Sequence, residues 1–178
     1  MELNNELGDR LSAGTLCDRT KGTIPSNKLS LIMDLCSQSL MPAKDAFHTI
    51  VKTALQKDRW QITHDPYPLQ AGSFNLAIDL GAQKVIAAER GEHKIAIEIK
   101  SFLGPSKISE FYSALGQFLA YRAALQVQES DRILYLAVPN NIYDQFFTTS
   151  FIQSLVEQHQ MYLLIYDIDQ EVIRRWQP

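Results

Sequence analysis

Hydrophobic and polar positions change their spacing repeatedly between residues 43 and 178, and these changes predict alternating helices and strands. Apolar side chains at helical spacing predict helices over about 43–57, 108–126 and 141–158. Short apolar or alternating runs predict a short strand entry at 60–63 and strands at 76–80, 85–89, 94–102, 132–138 and 161–168. The prolines Pro66 and Pro68 predict an extended linker after the first of these strands.

The last two predicted strands are apolar almost throughout, and predicted helices flank them. Strands of this kind are buried on both faces, as in sheets that carry helices on each side. The order of elements, α-β-β-β-α-β-α-β, therefore predicts an α/β protein with a sheet between two layers of helices.

The dipeptide Gly91-Glu92 predicts a two-residue hairpin turn between strands 85–89 and 94–102. With that turn, Val85 faces Glu98, and Asp79 lies well past the end of the facing strand. Asp79 then approaches Glu98 only if its own strand bends near Gly81, where a glycine permits a bulge.

Length and composition describe an ordinary globular protein of about one domain, with 178 residues of which 46% are apolar and 21% charged. The sequence has neither an apolar run of membrane-spanning length nor a secretion signal, and Cys17 and Cys36 do not make a disulfide framework. We therefore expect a cytoplasmic protein that does not interact with membranes. A net charge of −3 means that a nucleic acid would be held by a local patch or a bound cation.

Residues 1–40 differ from the remainder, because a polar, turn-rich stretch precedes one short amphipathic segment at 29–40. We interpret residues 1–40 as a loosely attached extension and 41–178 as the compact domain. The alternative is an N-terminal helix that caps the core.

The most informative stretch is 95–102, in which Ile97 and Ile99 share one face of a strand and Glu98 and Lys100 share the other. Apolar neighbours predict that this strand is central, so both charged groups are partly buried. A buried charge without a partner costs several kcal/mol. The two residues therefore form an ion pair, bind a metal or line a polar cleft. The alternative is a plain salt bridge on an edge strand.

Asp79 is a second acid placed among apolar strand residues, where it either has a role or initiates a turn. Asp79 and Glu98 are suitable ligands for Mg²⁺ or Mn²⁺, which prefer oxygen. Such a cation polarises a phosphodiester and lowers the pKa of a bound water. Lys100 would orient that water and offset charge in the transition state.

The order Asp79, then Glu98 and Lys100, then a helix resembles the PD-(D/E)XK nuclease superfamily. The resemblance implies a restriction-endonuclease-like α-β-β-β-α-β core with a mixed sheet flanked by helices. It also implies Mg²⁺-dependent endonuclease chemistry at these three residues. The proline expected before the first acid is absent, since Ile78 occupies that position.

Supporting residues are implied by the same resemblance. Gln117 and Tyr121 look like the Gln-x-x-x-Tyr motif of RecB-like members, in which both side chains approach the site and the nucleic-acid backbone. Their spacing places them on one helix face. Asp45 is the loose match to an acid that some members carry in the first helix. The alternative is a core tyrosine beside a surface glutamine.

A closer resemblance covers nearly all of 41–178. The segments 41–45, 62–66, 78–82, 95–102 and 132–139 resemble the XisH family of cyanobacterial fdxN element excision controlling factors. The resemblance implies control of the excision of a DNA element, together with a site-specific recombinase and a small XisI-like companion. Homodimerisation is a further expectation.

Three hypotheses follow from the residues and the resemblances. The first is a metal-dependent nuclease-like enzyme that acts in DNA excision. The second is a catalytically silent factor with a nuclease fold that acts as a regulatory or interaction subunit with its companion. The third is a plain interaction subunit that stabilises a partner.

Overall fold

The computed structural model describes residues 43–86 and 91–178, with the side chains at 43, 44, 85, 86, 91 and 92 left undescribed. The predicted extension at 1–40 lies outside the described residues. None of the helices in the described part is both long and apolar enough to cross a membrane.

Helices and strands alternate along the described chain. The helices are α1 (Ala43–Lys57), α2 (Lys107–Gln128), the single turn α3 (Asn140–Ile142) and α4 (Ser150–Gln158), with a π-helical turn at Tyr143–Phe147. The strands are β1 (Gln61–His64), β2 (Tyr67–Ala71), β3 (Phe74–Ile78), β4 (Leu80–Ile86), β5 (Gly91–Ile99), β6 (Arg132–Pro139), β7 (Tyr162–Asp167) and β8 (Val172–Gln177).

Six strands form one mixed sheet in the order β1-β4-β5-β6-β7-β8. The pairs β5–β6 and β6–β7 are parallel, and the outer pairs are antiparallel. Strands β2 and β3 pair separately as an antiparallel two-stranded sheet. The prediction of an α/β protein with a mixed sheet flanked by helices is confirmed.

Each face of the six-stranded sheet packs against its own helices. On one face, Val51 and Leu55 of α1 pack against Ile97 of β5 and Leu164 of β7. On the other face lie apolar residues of α2 and α4, which pack against β6 and β7. Both cores consist of buried aliphatic and aromatic side chains, which explains why β6 and β7 are apolar along both faces.

Several element predictions need correction. The linker at Pro66 and Pro68 contains β2, because a proline is tolerated in the edge position of a two-stranded sheet. The predicted strand 76–80 is divided at Asp79, where β3 ends and β4 begins. The predicted helix 141–158 is interrupted before α4, at Thr148 and Thr149. Strand β8 was not predicted, since charged residues interrupt its apolar pattern.

The predicted hairpin turn at Gly91-Glu92 is wrong. Both residues belong to β5, and Val85 pairs with Glu92 rather than with Glu98. The connection therefore spans 87–90, which lies outside the described residues. The observed register places Leu80 opposite Ile97. Both side chains are completely buried, so this register fills the core beneath α1.

Candidate metal centre

Glu98 and Lys100 lie on the α2 face at the end of the central strand β5. The side chain of Glu98 is almost completely buried, with 4% of the residue exposed. The Nζ of Lys100 lies 2.9 Å from Oε1 of Glu98. The prediction of a central strand with a partly buried charged pair is confirmed, because β5 lies between β4 and β6. An ion pair in this position is held away from bulk water.

Asp79 occupies the bend between β3 and β4 and reaches the same strand end. Its Oδ2 accepts a hydrogen bond of 2.8 Å from the backbone N–H of Ile99, the residue between Glu98 and Lys100. The approach needs no bulge at Gly81 in β4, because the observed register already brings Asp79 to the level of Glu98. The irregularity in pairing lies instead in the facing strand β1, between Ile62 and His64.

Tyr121 of α2 is buried against the same charged groups. Burial raises the pKa of the Tyr121 hydroxyl, and the negative charges of Glu98 and Asp79 raise it further. Gln117 lies one turn earlier on the helix, and its Oε1 is buried without a hydrogen-bond partner among the described residues. Tyr121 therefore lies near the acid pair, and Gln117 is on the same side of α2, one turn away.

Two residues of the first helix, Asp45 and His48, can be compared with the position of the site. Asp45 is exposed in the first turn of α1. His48 instead lines a small cavity together with Asp79 and Ser101. Its Nε2 lies 2.7 Å from Oδ1 of Asp65, so its ring is fixed at the edge of the site.

His48 was not predicted as a site residue, because it lies between Lys44 and Lys52 on a side of the helix whose sequence pattern is polar. The available signal was the spacing of three between Asp45 and His48, which places them on neighbouring positions of one helix face. Lys52 also binds Asp65, with 2.7 Å between Nζ and Oδ2. This hydrogen bond is the main reason why the pKa of Asp65 is lowered.

The donor set can be compared with the needs of a metal ion. Within the described residues, no group of three or more histidine, cysteine, aspartate or glutamate side chains is placed to hold a cation. Two carboxylates, Asp79 and Glu98, approach the same strand end. Magnesium is commonly bound by one or two carboxylates and completes its shell with waters and substrate phosphate. The residues present therefore fit Mg²⁺ or Mn²⁺ better than an ion that requires an all-protein cage.

The fold and this site define a class: an α/β protein with a mixed sheet and two acids and a lysine at the end of a central strand. The XisH protein family matches residues 41–174 of the chain. The chain belongs to the XisH family.

Two crystal structures are similar to this chain. An XisH family protein from Nostoc punctiforme PCC 73102 is 47% identical, with a TM-score of 0.68, and the match covers 75% of this chain and 99% of that one. An fdxN element excision controlling factor protein from Anabaena variabilis is 50% identical, with a TM-score of 0.67, and the match covers 74% and 98%. No curated protein matches the chain. The family assignment thus rests on the sequence and on the fold.

Proposed function

We propose that this chain acts as a controlling factor in the programmed excision of a DNA element and carries a metal-dependent, nuclease-like centre at Asp79, Glu98 and Lys100. The first part of the proposal is supported by the likeness to the Anabaena variabilis protein, which is described as an fdxN element excision controlling factor. The second part is supported by the arrangement of the three side chains.

The observation that carries the proposal is the hydrogen bond from the Ile99 N–H to Asp79. It holds the aspartate beside the strand segment that presents Glu98 on one side of Ile99 and Lys100 on the other. Charged groups in a protein interior are costly unless they are paired or used. Three such groups converging at one strand end favour a chemical role over a purely structural one.

Asp79 and Glu98 would hold a Mg²⁺ or Mn²⁺ ion, which when bound polarises a phosphodiester and lowers the pKa of a water. Lys100 supplies a positive charge beside Glu98, at a position suited to offset the negative charge of a phosphate group. Gln117 offers its buried amide to the same region, and Tyr121 excludes water on the α2 side.

A second candidate function is a silent factor that binds an XisI-like companion and DNA without cleaving. One observation favours it: Lys100 is already paired with Glu98, which leaves the lysine partly neutralised. In both versions the protein works beside a site-specific recombinase in the cytoplasm and forms a homodimer.

A cleavage assay distinguishes the two functions. Duplex, branched and single-stranded DNA are incubated with the protein and Mg²⁺ or Mn²⁺, with Lys100→Ala as the variant. The nuclease proposal predicts products with the wild-type protein and at least ~100-fold slower cleavage by Lys100→Ala, a typical effect of losing one group that stabilises transition-state charge. Equal cleavage by both proteins, or none by the wild type, would favour the silent factor.

A further inference from the structure

Two consecutive arginines on the edge strand β8 point into the same groove. Ile165 of β7 pairs with Arg175, and the next residue, Tyr166, pairs with Ile173, so Arg174 is an additional residue in β8. Consecutive side chains of a regular strand point to opposite faces. A bulge of one residue removes this alternation and redirects a side chain.

The two arginines line an open groove of about 540 Å³ together with polar and aromatic side chains, which are Asn140, Tyr143, Asp144 and Thr148. The bulge in β8 therefore brings two guanidinium groups to one position, where Asp144 also lines the groove and Asp167 pairs with Arg174. Arg175 is the group that remains to attract an anion to a protein whose overall charge is −3.

The arginines differ in how their charge is used. Arg174 is fixed by Asp167, with 2.6 Å between Nη2 and Oδ2, so most of its charge is compensated. The guanidinium of Arg175 lies over the ring of Tyr143, with 4.5 Å from Cζ to the ring centroid. Arg175 forms no ion pair with any of the described residues. Stacking holds its planar fork in place while leaving its N–H donors available.

The groove lies on the same sheet face as Glu98 and Lys100 of the candidate metal centre. Arg175 pairs with Ile165 of β7, and Ile165 pairs with Val138 of β6. Lys100 donates its backbone N–H to Ala137, the residue before Val138, so Lys100 and Arg175 belong to the same row of residues across the sheet. Three strand spacings separate β8 from β5, which corresponds to about 14 Å. This distance is less than half a turn of duplex DNA, whose helical repeat is about 34 Å.

We propose that the Arg174–Arg175 groove binds a backbone phosphate of duplex DNA, with Arg175 as the principal contact. A guanidinium forms short, charge-assisted hydrogen bonds with phosphate oxygens, and Tyr143 orients it for that geometry. Contacts of this type position a protein on DNA without reading the base sequence. The choice of DNA rests on the proposed function, whereas the groove itself is independent of the metal centre.

The test measures binding of a fluorescein-labelled duplex of about 30 base pairs, close to three helical turns. Binding is followed by anisotropy in EDTA, so that no metal-dependent step contributes, over a range of salt concentrations. Arg175→Gln removes the proposed contact. Arg59→Gln is the matched control, because it removes one positive charge from an exposed residue at the end of α1, on the opposite face.

We expect Arg175→Gln to weaken duplex binding about three- to tenfold and to reduce the slope of log K against log salt by about 0.9, the value for one lost phosphate contact. Arg175→Lys retains the charge and is expected to retain the slope. Arg59→Gln is expected to change neither quantity. Melting temperatures of all variants establish that the fold is unchanged.

Three results would overturn the proposal: equal slopes for the wild type and Arg175→Gln, equal losses for Arg59→Gln and Arg175→Gln, or no duplex binding by the wild type in EDTA. Failure of the metal centre is recognised separately, since loss of cation binding or cleavage leaves metal-free DNA affinity unaffected.

Discussion

Glu129 is the centre of a charged network that includes Lys94, at the opposite end of β5 from Lys100. Its carboxylate accepts hydrogen bonds of 2.7 Å from both the Tyr67 hydroxyl and the Nε of Arg132. The buried guanidinium of Arg132 also donates to the carbonyl oxygens of Ala82 and Ile95. Arg132 of β6 thus connects Glu129 at the end of α2 with β4 and β5 through hydrogen bonds. The sequence alone contains no pattern that indicates this network.

The hydrogen bond from Arg132, with further bonds from Tyr67 and Lys94, lowers the pKa of Glu129 from 4.5 to about 2. A carboxyl whose pKa is lower in the folded state stabilises the fold above its unfolded pKa, and this stabilisation is lost as the pH falls from about 4.5 toward 2. We predict that the wild type loses about 2 kcal/mol more stability than Glu129→Gln between pH 6 and pH 2.5, a value discounted for solvent screening.

Urea denaturation at several pH values measures this difference. Exposed Glu157 provides the control, since Glu157→Gln should follow the wild-type pH dependence. An identical loss of stability in the wild type and in Glu129→Gln would show that Glu129 is not specially stabilised in the folded state.

The register of the β4–β5 hairpin determines whether Asp79 lies close to Glu98. Gly81 lies in this hairpin two residues after Asp79, and a Cβ at Gly81 would lie 2.7 Å from Cδ2 of Tyr67. The Tyr67 ring cannot easily move aside, because its hydroxyl is bound to Glu129 and its face lies against Arg132. A glycine is therefore required at this point for close packing of the ring.

We predict that Gly81→Ala lowers the free energy of unfolding by about 1–3 kcal/mol, the usual cost of overpacking. Gly116→Ala is the matched control, because Gly116 lies within α2 and a Cβ there meets no atom within 4 Å. That change should raise the stability by about 0.5–1 kcal/mol through helix propensity. Denaturant titration measures both, and a neutral Gly81→Ala would contradict the assigned contact.

The sequence predicted the helices and strands well where a buried face repeats apolar residues at helical or strand spacing. Helix α1 and strands β5, β6 and β7 were identified because one or both of their faces are apolar. Glu98 and Lys100 were identified as a pair because strand alternation places them on one face. The register of Asp79 was not predictable, since it depends on where the chain turns between β4 and β5, and glycine at 91 suggested a turn that does not form.

In the described part of the molecule, the candidate site lies at one end of a sheet that is covered on both faces. All six strands and their covering helices lie within 43–178, and the family match spans 41–174. Glu98, Lys100 and the Arg174–Arg175 groove lie on the α2 side of this sheet, whereas Asp79 lines a cavity with His48 of α1 at the same end. A DNA segment bound along the α2 side would contact both Lys100 and the groove.

We predict that a fragment beginning at Met41 folds cooperatively, because it contains all the strands and both cores found among the described residues. Circular dichroism of the fragment should show a single sharp thermal transition together with mixed α/β content. A broad transition without a cooperative step would show that residues 1–40 are needed for folding.

The proposal that Asp79 and Glu98 share one cation is tested by calorimetric titration with Mn²⁺. Three proteins are compared: the wild type, Glu98→Gln, and Glu157→Gln as a control that removes an exposed acid from α4. We predict that Glu98→Gln weakens Mn²⁺ binding at least about tenfold, equivalent to about 1.4 kcal/mol, and that Glu157→Gln does not. The same affinity in Glu98→Gln as in the wild type would contradict the account.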